Sequence, residues 1–133
     1  MTSRALLTRM VVTMAVVLAG VLTTGSHLVM PWVVAGRSME PALFPGDRVL
    51  VDCWTYRHRR PRSGEVALLV GPSGLRMVKR VAELPDSGNG IWVLGDHGAH
   101  SIDSRRFGAL PADRFRGRVV YRYWPLSRAG PVR

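Results

Sequence analysis

Residues 10–35 carry no Asp, Glu, Lys or Arg, and within them 10–22 is apolar apart from Thr13 and Gly20. At 1.5 Å of rise per residue, roughly 20 residues span the ~30 Å hydrocarbon core of a bilayer. The run therefore predicts an N-terminal transmembrane helix, ended or kinked at Pro31. Arg4 and Arg9 precede it, which by the positive-inside rule puts residues 1–9 in the cytoplasm and the rest outside. A cleaved secretory signal is the alternative, with Val33-Val34-Ala35 as its small-x-small site. Such signals use an apolar region of only ~7–15 residues, so the longer run favours a retained anchor.

Beyond residue 36 the pattern changes to short β-branched runs. Segments 48–53, 65–70, 76–82, 91–94 and 118–123 predict strands. Gly71-Pro72-Ser73-Gly74 and Asp86-Ser87-Gly88-Asn89-Gly90 are turn chemistry that joins neighbouring strands as hairpins. No stretch after the anchor sustains a 3.6-residue period. The expectation is an all-β fold, a small folded-over sheet or partly open barrel, behind one N-terminal transmembrane helix. With 133 residues there is room for one folded domain. The plan is a cytoplasmic N-terminus at 1–9, an anchor at 10–35, an extracytoplasmic domain at 36–125 and a loose tail at 126–133.

Composition changes this picture in two places. Hydrophobic residues at 47% and charged residues at 21% exclude a disordered chain, and a single cysteine, Cys53, excludes an internal disulfide framework. The 19 Lys+Arg against 9 Asp+Glu leave a net charge of +10, which raises a nucleic-acid or anionic-lipid reading. The charges are scattered through strands and turns, no nucleic-acid motif is present, and an outward-facing domain meets no nucleic acid. A non-catalytic basic membrane protein remains an alternative.

Of the 19 basic residues, only Lys79 is lysine. Arginine does not lose its proton in proteins, whereas burial can neutralise a lysine. Strand alternation places Met77, Lys79 and Val81 on one face, so the amine has apolar neighbours. To act as a base near pH 7 its pKa must fall ~3 units, at a desolvation cost on the order of 4 kcal/mol. An edge-strand lysine with its head in water is the other reading. Ser38 lies in Gly36-Arg37-Ser38-Met39-Glu40-Pro41, a Pro-stiffened turn in which a serine either caps local backbone or is displayed for chemistry. The Gly95–Gly108 segment packs Asp96, His97, His100, Ser101, Asp103 and Arg105 into one loop after a strand. Its His and Asp residues have no fixed metal-ligand spacing, and neither metal nor cofactor is expected. An Asp103–Arg105 ion pair is expected to pin the loop. Trp32, Trp54 and Phe44 suit a membrane interface or the core equally, Trp92 suits the core, and Cys53 reads as a small buried residue.

Ser38-Met39-x-Pro41 with Gly46-Asp47, then Val78-Lys79-Arg80-Val81, then Gly95-Asp96 followed by Ser101-x-Asp103-Ser104-Arg105 and Gly108 come in this order behind the apolar segment. The pattern resembles the type I signal peptidase (leader peptidase) family over about residues 36–125. That resemblance implies Ser38 as nucleophile and Lys79 as general base. It implies that Ser101 orients the lysine by a hydrogen bond, that Asp103 and Arg105 support the site, and that Met39 shapes the pocket. The Ser38 N–H would face the oxyanion. Gly36 offers no hydroxyl where some relatives draw an oxyanion donor, His97 replaces the usual Asn, and Glu65 stands where Asp is common. The short spacing between Lys79 and Gly95 is similar to mitochondrial inner-membrane peptidases and small actinobacterial maturation proteases. The implied activity is that of a plasma-membrane serine endopeptidase, single-pass with its catalytic domain outside, whose Ser/Lys dyad removes signal peptides from exported precursors after small-x-small sites. A dedicated protease for one client, such as a nickel superoxide dismutase precursor, is the second reading. Precursor proteins and membrane lipid are the partners it implies.

Overall fold

The computed structural model describes residues 2–83 and 88–133, with side chains from residue 6 onward except at 21–27. Helix α1 (Thr2–Leu28) passes directly into strand β1 (Val29–Val33). The segment 10–35, expected as one anchor, is thus divided between a helix and a strand. Pro31 gives the physical reason. It disfavours helical backbone at Met30 and lacks an N–H, which an edge strand tolerates. β1 is such an edge, paired only with β2 (Arg48–Asp52), Pro31 opposite Leu50. Among the described residues no helix is long and apolar enough to cross a membrane.

The remaining strands are β3 (Val66–Val70), β4 (Arg76–Ala82), β5 (Trp92–Leu94), β6 (Phe115–Trp124) and β7 (Gly130–Pro131). They form one antiparallel sheet in the order β1-β2-β6-β3-β4-β5, with β7 added to β6. The sheet is open, with β1 and β5 at the two ends of its main path. β6 is its spine: one half pairs with β3 and the other with β2, and register shifts on both sides bend the strand. Gly117, at the middle of β6, has no room for a side chain, since a Cβ there would stand 2.6 Å from a Val51 methyl and 2.7 Å from the Asp52 carbonyl oxygen.

β3 reads as a continuous apolar run because both its faces are covered. Val66 and Leu68 join a cluster with Met39, Leu43, Val49 and Val119, while Ala67 and Leu69 join Val81, Ile91, Val93 and Phe115. Two short helices interrupt the β pattern, α2 (Thr55–His58) and α3 (Ser104–Phe107). In the second predicted hairpin, Asp86 and Ser87 lie outside the described residues. The tail expected to be loose is built into the fold: β7 pairs with Tyr121 and Arg122, and Val132 packs on the first cluster.

Candidate active site

Ser38 sits in the loop between β1 and β2, and that loop is tied to the sheet at both ends. The Val34 N–H donates to the Asp47 carbonyl and the Gly46 N–H to the Val34 carbonyl, each at 2.8 Å. Met39 and Leu43 root it in the core at 1% and 0% exposure. Gly36 takes φ +81, a backbone conformation that favours glycine and turns the chain toward Ser38. Asp47, buried, accepts from the Phe44 N–H at 3.0 Å and from the guanidinium groups of Arg122 at 3.2 Å and Arg128 at 2.5 Å. Arg122 also donates to the Ala42 carbonyl at 2.9 Å. The Ser38 loop is therefore held by β6 and by the segment that follows it.

Lys79 lies in the middle of β4 at 5% exposure, and its Nζ donates to Ser38 Oγ at 2.6 Å. Burial pushes the amine below its ordinary pKa of 10.5; the Asp103 carboxylate opposes that shift and the Arg105 guanidinium adds to it. The Ser38 N–H makes no hydrogen bond among the described residues, while the Ser38 carbonyl accepts from the His97 N–H at 2.8 Å.

The Gly95–Gly108 loop supplies the third side. Asp103 is fully buried and accepts from the Gly95 N–H at 2.9 Å, Ser101 Oγ at 2.7 Å, and Arg105 Nε at 2.9 Å and Nη2 at 2.6 Å. Its Oδ1 also caps α3 through the Arg105 N–H at 3.2 Å. Burial alone would raise the Asp103 pKa, but these donors, Arg105 foremost, hold it well below the carboxylate range. The Ser101 hydroxyl donates to Asp103, and the hydrogen bond expected between Ser101 and Lys79 is not among those of the described residues; Lys79 Nζ donates to Ser38 instead. Ser104 Oγ accepts from the Val93 N–H at 2.8 Å, which fastens the loop to β5.

Gly95, which the sequence offered as a loop boundary and as part of the Gly95-Asp96 pair without a role of its own, is a contact point. A Cβ there would lie 2.1 Å from Ser101 Oγ and 2.6 Å from the Ser38 carbonyl oxygen. Its membership of the Gly95-Asp96 pair was the signal available. His97 stands beside Glu40, Nδ1 to Oε2 at 3.6 Å, and against the His100 ring at 4.5 Å. Glu40 is held below its usual pKa, chiefly by its hydrogen bond from Arg37. Glu65 lies apart from Ser38, bound by Tyr56, Arg59 and the Arg62 N–H. Cys53 is half-buried with Sγ 3.7 Å from the Val51 carbonyl oxygen.

A cleft of about 120 Å³ opens beside the Ser38–Lys79 pair, between Trp32, Val34, Ala35 and Met39 on one wall and Met77 and Val78 on the other. β5 pairs only with Arg80, Val81 and Ala82, which leaves the 76–79 edge of β4 open along this cleft. A larger cavity of about 550 Å³, lined in part by Arg60, Arg62 and Glu83, contains neither Ser38 nor Lys79.

The family described as signal peptidase, peptidase S26, matches residues 7–87 and 86–124 of this chain. Mitochondrial inner membrane protease subunit 2 of Schizosaccharomyces pombe is 30% identical, over 80% of this chain and 71% of its own. The human protein of the same name is 31% identical, over 71% of this chain and 67% of its own. Probable signal peptidase I-2 of Synechocystis is 26% identical, over 73% of this chain and 64% of its own.

Proposed function

This chain belongs to the peptidase S26 family of signal peptidases, and on that footing we propose that it is a membrane-anchored endopeptidase working through a Ser38/Lys79 dyad. The observation that carries the reading is the 2.6 Å contact between a buried lysine amine and a serine hydroxyl beside an open cleft. A serine hydroxyl is a poor nucleophile until a neighbouring base takes its proton. With Lys79 neutral, the Nζ lone pair accepts that proton as Ser38 Oγ adds to the scissile carbonyl carbon. The oxyanion so formed lies toward the Ser38 N–H, a donor of a kind worth ~3–4 kcal/mol in the transition state. The Lys79 ammonium then protonates the departing amine, and the C–N bond breaks to leave an ester on Ser38. Water, deprotonated by the same amine, hydrolyses the ester and restores the hydroxyl.

The substrate is an exported precursor, cut after small-x-small residues. A cleft of about 120 Å³ walled by Val34, Ala35 and Met39 suits small side chains, and an extended peptide can pair with the open edge of β4. α1 is the anchor. Its exposed Met10, Val11 and Val16–Leu18 favour lipid, and Ser38 follows Leu28 by ten residues, close to the point where a membrane-bound precursor emerges. The reading keeps residues 1–9 in the cytoplasm, on the strength of Arg4 and Arg9, and the protein at the plasma membrane.

The test is cleavage of a membrane-inserted precursor bearing an Ala-x-Ala site, from about pH 6 to about pH 10. Ser38→Ala and Lys79→Arg are each expected to lower the rate by about 10³-fold or more. Cleavage that persists in Lys79→Arg overturns the dyad, because arginine does not give up its proton.

A further inference from the structure

The cleft beside Ser38 holds a second cation. Arg76 opens β4 and lines the cleft together with Ser38, Met39 and Lys79, and its guanidinium lies over the Trp32 ring at 6.0 Å. Apart from the Ser38–Lys79 pair, the rest of the cleft lining is apolar. No carboxylate among the described residues pairs with Arg76. The acidic groups around the site are committed elsewhere: Glu40 to Arg37, Asp96 to Arg80, Asp103 to Arg105, and Asp47 to Arg122 and Arg128. An exposed, unneutralised guanidinium thus stands at the end of the cleft away from the Ser38–Lys79 pair.

Arg76 and Lys79 are three positions apart on one strand, about 10 Å. An extended peptide laid along the open edge of β4 advances by the same increment per residue. The residue level with Arg76 is then three from the one whose carbonyl meets Ser38. Three is an odd step, so the side chains of Arg76 and Lys79 leave opposite faces of β4, as do those of the first and fourth residues of an extended peptide. Trp32 packs on the cluster that holds Val78, and Val78 shares the Arg76 face. We propose that the peptide runs parallel to β4, so that residues before the cut lie toward Arg76, and that Arg76, backed by the Trp32 ring, is a specificity-determining residue that recognises an acidic side chain at the fourth residue before the cut. The inference rests on the protease reading above. A guanidinium fork meets a carboxylate through two parallel N–H donors, which gives the recognition its geometry as well as its charge.

The experiment uses the full chain in detergent and three precursors that share one Ala-x-Ala site and differ only at the fourth residue before the cut, Asp, Ala or Lys. The readout is the ratio of kcat/KM values within each enzyme variant, which is independent of the fraction folded. Wild type is expected to prefer Asp over Lys by about three- to tenfold, carried by KM. The preference should shrink at about 1 M salt and invert in Arg76→Glu. Arg116→Glu, an equal charge change at an exposed site on β6 outside the cleft, should keep the wild-type ratio. Equal cleavage of the Asp and Lys precursors overturns the inference and leaves the protease reading standing. An Asp preference that survives in Arg76→Glu also overturns it, because the charge is then read elsewhere. If Arg76→Glu lowers cleavage of all three precursors alike, and only in vesicles containing anionic lipid, Arg76 is a headgroup contact and the inference falls. If none of the precursors is cleaved by wild type, the protease reading itself fails and takes the inference with it.

Discussion

In the proposed role Lys79 is held between opposing demands, since a base at neutral pH must be uncharged and an uncharged lysine requires burial. Burial lowers its pKa from 10.5 against the pull of Asp103, so the folded chain disfavours the proton that the unfolded chain still binds. Stability therefore rises with pH from the folded pKa to about 10.5, and below that window the whole penalty is carried. Lys79→Met is expected to abolish cleavage yet to be at least as stable as wild type at pH 7. Its advantage should vanish above about pH 10.5, as followed by urea denaturation at several pH values. Catalysis reads the same group, and the rate should climb with pH along a limb centred below 10.5. Gly95 sets a steric limit instead. A Cβ 2.1 Å from Ser101 Oγ and 2.6 Å from the Ser38 carbonyl cannot be absorbed without moving Ser38. Gly95→Ala should cost about 1–3 kcal/mol in urea denaturation and remove most activity. Gly117→Ala, equally crowded but in the sheet spine, should cost as much stability and leave more activity per folded molecule. The importance of Lys79 was legible in sequence from its being the only lysine; that of Gly95 was not, because a close approach to a residue 57 positions away leaves no local pattern.

At the scale of elements, the Gly95–Gly108 loop is a rigid part because one carboxylate collects donors from both its ends. Asp103 joins the Gly95 N–H, Ser101 and Arg105, and Ser104 ties α3 back to β5. Asp103→Asn keeps the volume and removes the charge; leaving buried donors poorly paired is expected to cost about 1–3 kcal/mol. With a folded pKa depressed below 3.8, the wild-type contribution is complete above about pH 4 and is lost as acid titrates the folded carboxylate. Comparing urea midpoints of wild type and Asp103→Asn at pH 7 and at about pH 2 should show a gap that narrows in acid. Four of the five predicted strands have a counterpart that differs by at most one residue at either end, since β-branched runs between turn residues need only local information. β1 was missed because Val29–Val33 continues the apolar pattern of the helix before it; the pairing with β2 makes it a strand. β6 starts earlier than expected, at Phe115, because its first half is fixed by pairing with β3.

For the molecule as a whole, the segment after β6 acts as a clamp on the Ser38 loop. Asp47 receives Arg122 and Arg128, and Arg128 also lies over the Phe44 ring at 4.7 Å. Asp47→Asn leaves two guanidinium groups facing a neutral amide and is expected to cost about 3 kcal/mol. Its activity should fall further than its folded fraction, because the Ser38 loop loses its tie to β6; urea denaturation beside initial rates separates the two. Sequence alone determined the β-rich class, the order of the three chemical segments and the choice of Ser38 and Lys79 as the pair to examine. Those rest on local propensity, on motif order and on the distinct proton chemistry of lysine. Tertiary structure decided what needs long-range contact: that β1 is a strand, that residues 126–133 belong to the fold, that Ser101 serves Asp103, and that Lys79 Nζ lies 2.6 Å from Ser38 Oγ. Forty-one positions separate that serine from that lysine, and no pattern along the chain encodes a distance that the sheet closes only when β4 packs beside the β1–β2 loop.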